Sequence, residues 1–245
     1  MKHQNIILEI CTAHIESALL AARAGADRLE FCGNLGEGGT TPSMGSVLTL
    51  LKETNIPVMV MIRPRGGNFI YTETEFTSMC RDIEILRETG ISGIVFGLLN
   101  KHGEIDMAKC SKLLEIAGNI DTTFHRAFDA TPDLQASLEN LCTLGFKRVL
   151  TSGGQNTALE GKDNLARLVR QAAGRIVVMP GGGVRSHNIT GLWQSTSANE
   201  FHMAPLKRSQ SNPGMPAKFN QDDDNHMVDT VEIENTLREI KKLTQ

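Results

Sequence analysis

The chain has 245 residues, 40% hydrophobic and 22% charged, with a formal net charge of -3, an ordinary globular composition that is long enough for one large domain. Near-neutral charge and only 4% aromatic residues exclude nucleic-acid binding, which needs a basic footprint and stacking platforms. No apolar run reaches membrane-spanning length and the first residues lack the apolar core of a signal peptide, so a cytoplasmic protein without a membrane partner is expected.

An apolar run from Ile6 to Cys11, interrupted by Glu9, predicts the first strand. A helix follows, with Ile15, Ala18, Leu19 and Ala22 at helical spacing and Gly25 as its stop. The pattern restarts with a strand over 27–32, a glycine-rich loop over 33–42, and a helix capped by Ser43 that carries Val47, Leu48 and Leu51. Val58 to Ile62 reads as a third strand, buried on both faces. Thr72 and Glu75 form a Thr-x-x-Glu capping box for a helix bearing Phe76, Met79, Ile83 and Leu86. Gly93 to Gly97 is the fourth strand, and Asp106 caps the helix after it. Thr122 to His125 is the fifth strand, followed by a helix predicted to begin at Thr131-Pro132. Strand six covers 148–152, strand seven 176–179 with a short helix over 186–192, and strand eight 200–203. Residues 205–226 are polar, with Pro213, Gly214, Pro216 and three consecutive aspartates, and predict a mobile loop. A closing helix over 227–245 is capped by Asp229.

Eight strand signals alternating with eight helix signals predict an α/β fold, a single (β/α)8 TIM-type barrel over 1–245, with a doubly wound sheet as the alternative. The five cysteines, Cys11, Cys32, Cys80, Cys110 and Cys142, show no Cys-x-x-Cys spacing. They read as reduced thiols, not a disulfide framework.

In such barrels, ligands bind at the carboxyl ends of the strands. The third strand ends in Arg63-Pro64-Arg65-Gly66-Gly67, and paired guanidinium groups there invite an anion, unless they simply pair with acidic neighbours in a surface turn. Alternation within each strand puts Glu9 with Cys11 on one face, Glu30 with Cys32, Met59 and Met61 with Arg63, Thr123 with His125, and Glu200 with His202. If adjacent strands match in register, Glu9 meets Glu30 at one level and Cys11 meets Cys32 at the next. The predicted mouth is lined by Glu9, Glu30, Arg63, Arg65, His125, Arg126, Asp129 and His202, with Ser152, Gly153, Gly181, Gly182 and Gly183 supplying backbone donors. Glu9, Glu30, Arg63, His125 and Asp129 are the catalytic candidates. Each also admits a structural reading: Glu9 and Glu30 in an ion pair with Arg63, and His125, Arg126 and Asp129 in a hydrogen-bond cluster. Cys11 and Cys32 are either two thiolates for a soft ion such as Cu(I) or small apolar filler. A divalent metal held by Glu9, Glu30, His125 and His202 is a further option. No lysine stands at a strand's carboxyl end, since Lys147 precedes its strand, which argues against Schiff-base aldolase chemistry.

The stretches Leu-Glu-Ile-Cys (8 to 11), Gly-Ala-Asp-Arg-Leu-Glu-Phe-Cys (25 to 32), Glu-Gly-Gly-Thr-Thr-Pro-Ser (37 to 43), Ile-Arg-Pro-Arg-Gly-Gly-Asn-Phe (62 to 69), Thr-Phe-His-Arg-Ala-Phe-Asp (123 to 129) and Arg-Val-Leu-Thr-Ser-Gly-Gly (148 to 154) resemble the CutC family. The resemblance runs in order through nearly the whole chain. It implies a TIM-type barrel, a cytoplasmic homo-oligomer (dimer or tetramer) and a role in copper homeostasis, with copper ligands at Cys11 and Cys32. Thr12 stands where other members often carry a second cysteine. The arginines and carboxylates of the predicted mouth point instead to a small anionic or hydroxylated organic molecule, acted on by lyase- or isomerase-type acid-base chemistry. Two expectations therefore stand, a Cu(I)-binding protein and a barrel enzyme.

Overall fold

The computed structural model describes residues 6–208 and 226–243. Eight parallel strands, β1 (Ile7–Thr12), β2 (Arg28–Phe31), β3 (Val58–Met61), β4 (Gly93–Phe96), β5 (Asp121–Phe124), β6 (Arg148–Thr151), β7 (Val177–Pro180) and β8 (Glu200–Met203), alternate with eight helices. These are α1 (Ile15–Arg23), α2 (Met44–Glu53), α3 (Glu73–Leu86), α4 (Met107–Ala117), α5 (Leu134–Leu144), α6 (Lys162–Ala172), α7 (Ile189–Thr196) and α8 (Thr230–Leu243). The ladder runs in chain order from β1 to β7, with β8 added beside β1. β7 and β8 lie next to each other at the seam, closing a TIM-type barrel.

The outward faces of the strands are largely apolar. Leu8 and Ile10, Leu29 and Phe31, Val58 and Val60, Ile94 and Phe96, Phe124, Val149, Val178 and Phe201 join the buried faces of the helices in one continuous core. The residues that alternate with this layer fill the barrel's interior, and β3, with Met59 and Met61 on that inner face, therefore reads as an unbroken apolar run. Several predicted caps are present. The Ser43 hydroxyl accepts from Ser46 N-H, the Thr72–Glu75 capping box is complete, and the Asp106 carboxylate accepts from Lys109 N-H. The Asp229 carboxylate accepts from the N-H groups of Val231 and Glu232 at the start of α8.

Two helices begin later than predicted. Residues 126–130 form a 3-10 turn closed by the Thr131 hydroxyl on the Phe128 carbonyl, so α5 starts only after Asp133, whose side chain accepts from the N-H groups of Gln135 and Ala136. In the β7 loop, Asn188 accepts from Arg185 N-H and donates to the Gly183 carbonyl, which closes a turn over 186–188 so that α7 begins only at Ile189. Within the expected loop 205–226, Leu206–Arg208 (β9) pairs antiparallel with His226–Val228 (β10), and Val228 N-H donates to the Ser17 hydroxyl of α1. The rest of that segment, 209–225, lies outside the described residues. Among the described residues no helix is long and apolar enough to cross a membrane.

Candidate functional site

The amino-terminal end of the barrel is plugged by charge. Arg28 pairs with both Glu9 and Glu200, and Arg148 pairs with Glu200 at 2.9 Å and with Asp121 at 2.9 Å. Glu9, Arg28, Arg148 and Glu200 are all buried, and buried charges persist only when paired in this way. The alternation that turns Glu30 and Cys32 inward also turns Arg28 inward, and Arg148 shares parity with Ser152, so both could have been found from the strand pattern.

This plug overturns the expected register. Glu9 lies opposite Arg28 and His202, and Cys11 lies opposite Glu30, because neighbouring barrel strands are staggered. Glu9 therefore does not share a level with Glu30 and does not line the mouth. It is tied to Arg28 below and accepts at Oε1 from the ring nitrogen Nδ1 of His202 at 2.7 Å. Burial by itself would raise its pKa, but the hydrogen bond from His202 and the charge of Arg28 outweigh that and hold the carboxylate at about 2. Nor is Arg63 the partner of either glutamate.

At the carboxyl end a cavity of about 450 Å³ opens, lined by Cys11, Glu30, Met61, Arg63, Phe69, His125, Arg126, Leu150, Gly182, Gly183, Arg185 and His202 among others. Glu30, Arg63, His125 and His202 thus converge as the parity argument required. Arg185 was missed; it follows the Gly181–Gly183 run by two residues, in a loop whose course the strand pattern could not give.

Arg63 is only 4% exposed, and no carboxylate lies within ion-pair distance of it among the described residues. Its guanidinium donates to the carbonyls of Glu37 at 2.8 Å, Gly39 at 2.7 Å and Gly67 at 2.9 Å, folding the β2 and β3 loops over the cavity. It also stacks on Phe69, 5.3 Å from the ring centroid, and the Phe69 ring in turn meets that of His125 at 5.0 Å between centroids. Arg65 behaves as the surface-turn alternative had it: it pairs with Glu75, covers the Tyr71 ring at 5.2 Å and donates to loop carbonyls, away from the cavity.

Asp129 is an organiser of the β6 loop. Its carboxylate accepts from the Thr151 hydroxyl, from Ser152 N-H and hydroxyl, from Gly154 N-H and from Arg126 Nε. Ser152 is thereby committed, as is Gly153, whose N-H goes to the Thr151 hydroxyl. Gly181 N-H is also spent, on the Thr151 carbonyl. The expectation that Ser152, Gly153 and Gly181 offer backbone donors is therefore corrected; of the predicted glycines, Gly182 and Gly183 reach the cavity. Arg126 does so too, steadied by Asp129 at 2.8 Å and by the Ser152 hydroxyl at 2.7 Å.

The ring of His125 is buried, and its Nδ1 accepts from Ala127 N-H at 3.2 Å. That bond assigns the remaining ring proton to Nε2, which has no partner. A Cβ on Gly97 would come within 2.6 Å of Nδ1, so only glycine fits behind the ring. Burial, with Arg63 nearby, lowers the pKa of His125 from 6.5 to about 3. The neutral ring can donate from Nε2 but cannot accept there, which removes the general-base role and leaves a hydrogen-bond donor. Because the folded pKa lies below the unfolded one, this group costs stability as pH falls through 6.5: the unfolded chain takes a proton that the folded ring refuses. The expected loss is about 2 kcal/mol between about pH 8 and pH 5. Urea unfolding of wild type and His125→Gln across that range checks it, and identical pH dependence in the two proteins would rule out a buried neutral ring.

Four side chains, Cys11, Cys32, Glu30 and His202, meet at and beneath the cavity's floor. The Cys11 and Cys32 sulfurs are 3.9 Å apart and pack with Met59, Met61 and Val95. Gly39, at φ +86°, brings its backbone against Cys32 Sγ and Met61 where a side chain would crowd them. Beside the sulfurs, Glu30 and His202 approach at 3.8 Å between Oε2 and Nε2. The bond to Cys32 and burial push the Cys11 thiol well up. Burial raises Glu30 as well. For His202, burial acts downward, but the charge of Glu30 and the bond to Glu9 prevail and raise it.

The model of the CutC family matches residues 6–206. The human copper homeostasis protein cutC homolog is 48% identical over 209 residues, covering 85% of this chain and 76% of its own. A CutC family protein of Treponema denticola is 44% identical over 207 residues, covering 84% of each chain. The crystal structure of CutC from Streptococcus agalactiae superposes with a TM-score of 0.77 at 36% identity, covering 81% of this chain and 98% of that one. The matched span holds all eight strands, from the sulfur pair through the arginine-bearing loops to the histidine of the last strand, and the chain belongs to the CutC family.

Proposed function

We propose that the chain serves copper homeostasis, the role named for its relatives, by holding Cu(I) between Cys11 and Cys32. The observation that carries this is the separation of the two buried sulfurs, 3.9 Å. Metal–thiolate bonds of about 2.3 Å let one ion span up to roughly 4.6 Å between two sulfurs, and soft sulfur in a dry, methionine-lined pocket is the donor set Cu(I) selects. All five cysteines are free, in keeping with the reducing cytoplasm. Titrating the reduced protein with Cu(I) against a competing chelator should give one ion per chain, with Cys11→Ser and Cys32→Ser each weakening it by about 100-fold or more. Binding that survives both substitutions sinks the reading.

A second reading rests on Arg63 and Arg185. Neither has a carboxylate partner among the described residues; Arg185 donates to the carbonyls of Val184 at 2.7 Å and Ala204 at 3.0 Å. Cationic groups facing a cavity with their charge uncompensated recognise an anion. A small organic anion would sit between them, with His125 Nε2 as donor and Glu30 as the proton acceptor in lyase- or isomerase-type chemistry. A panel of organic carboxylates and phosphates should contain members that raise the Tm of the wild type and leave Arg185→Gln unmoved; a panel without hits removes this reading.

A further inference from the structure

Glu30 carries an unexplained cost. Its side chain is 3% exposed and its Oε1 has no hydrogen-bond partner. A carboxylate oxygen taken out of water with nothing to receive it is among the most expensive groups a barrel interior can hold. It sits beside two further donors: Cys11 Sγ, a ring nitrogen of His202 and a Glu30 oxygen all lie within 4.8 Å of one another, and all three residues are buried. This grouping differs from the divalent site expected at Glu9, Glu30, His125 and His202. His125 is not in the group, and Glu9 stands behind His202.

We propose that Cys11, Glu30 and His202 form a three-donor site for a divalent cation of the zinc class, with its fourth position open to the cavity. A thiolate, an imidazole and a carboxylate together suit a borderline ion better than Cu(I), and three protein donors with one side open is the arrangement of catalytic zinc sites. Tetrahedral bonds of about 2.0–2.3 Å place donors roughly 3.3–3.8 Å apart; Glu30 Oε2 and His202 Nε2 are already at 3.8 Å. The shell behind the donors is also built. Glu9 Oε1 takes the Nδ1 hydrogen of His202 and is itself fixed by Arg28, which turns Nε2 toward the ion and strengthens it as a ligand. A thiolate and a carboxylate balance the ion's charge.

The site does not rest on the Cu(I) reading, since Cys32 is not a donor in it. The two ions would compete for Cys11, and the variants tell them apart. The reduced, metal-free full-length chain is titrated with Zn2+ against a chromophoric chelator, and separately with Co2+ to read the thiolate-to-metal absorption band. Binding of one ion per chain is expected. Glu30→Gln and His202→Gln should each weaken it at least tenfold, Cys11→Ser should abolish the cobalt band, and Glu9→Gln should cost about 10- to 100-fold through the ring it orients. Cys32→Ser should leave Zn2+ affinity within about threefold while removing Cu(I) binding. Glu30→Gln keeps the shape of the side chain, and circular dichroism checks that it folds. No Zn2+ binding by the wild type, or binding indifferent to both Glu30→Gln and His202→Gln, overturns the proposal. Loss of Zn2+ with Cys32→Ser overturns it equally.

Discussion

Replacing Arg28 with alanine is expected to destabilise the protein by about 3–5 kcal/mol, the cost of breaking a buried ion pair from one side. Arg28 is the shared partner of Glu9 and Glu200, and all three are buried at the closed end of the barrel. Without it, two buried carboxylates lose a cation they share. Glu200 keeps Arg148, but Glu9 retains only His202. For a chain of this size each kcal/mol moves the Tm by roughly 2–4 °C, so the variant should melt about 6–20 °C below the wild type. Urea unfolding near neutral pH gives the free energy directly. Arg28→Met combined with Glu9→Gln should recover part of the loss, because the carboxylate left without its cation goes with it. A single variant within about 1 kcal/mol of wild type would mean that the plug contributes little and that Glu9 is held by other means.

Asp129→Ala should cost about 2–4 kcal/mol and loosen the loop after β6. The side chain gathers donors from Thr151, Ser152, Gly154 and Arg126, and Thr151 and Ser152 are fully buried. Each buried donor left without an acceptor costs about 1–3 kcal/mol, and waters entering the exposed side of the loop recover some of that. Amide exchange at Ser152 and Gly154 should quicken well beyond the global change, and Arg126, which depends on Asp129 and Ser152 for its direction, should lose its fixed position over the cavity. Asp129→Asn, which keeps an acceptor oxygen but no charge, should fall between the two proteins. A purely chemical role for Asp129 predicts no change in stability, so the unfolding curve separates the two possibilities.

The parity of the strands was legible in the sequence because a residue's face depends only on its position in a two-residue repeat. Glu30, Arg63, His125 and His202 were assigned to the interior on that basis, and they line one cavity. The capping residues Ser43, Thr72, Asp106 and Asp229 were legible for a similar reason, since a cap acts within three residues of itself. Arg28 and Arg148 obey the same parity, but their pairing was not legible because their partners lie on other strands, brought to them only by the register. The late starts of α5 and α7 were not legible. They depend on Thr131, Asp133 and Asn188 choosing among several backbone partners that the sequence offers equally.

The amino-acid order by itself determined that eight strands and eight helices alternate, that the strands' outward faces are largely apolar, and that a set of acids, bases and thiols turns inward. Only the closed barrel decided which of these meet. Closure requires each strand to slide against its neighbour, and that slide put Cys11, not Glu9, opposite Glu30. It sent Glu9 down to Arg28, left a carboxylate oxygen of Glu30 unpartnered beside a thiol and an imidazole, and left Arg63 to the carbonyls of two loops. Alternation fixes a side chain's direction, whereas its height along the barrel, and so its partners, follows from the stagger of all eight strands at once.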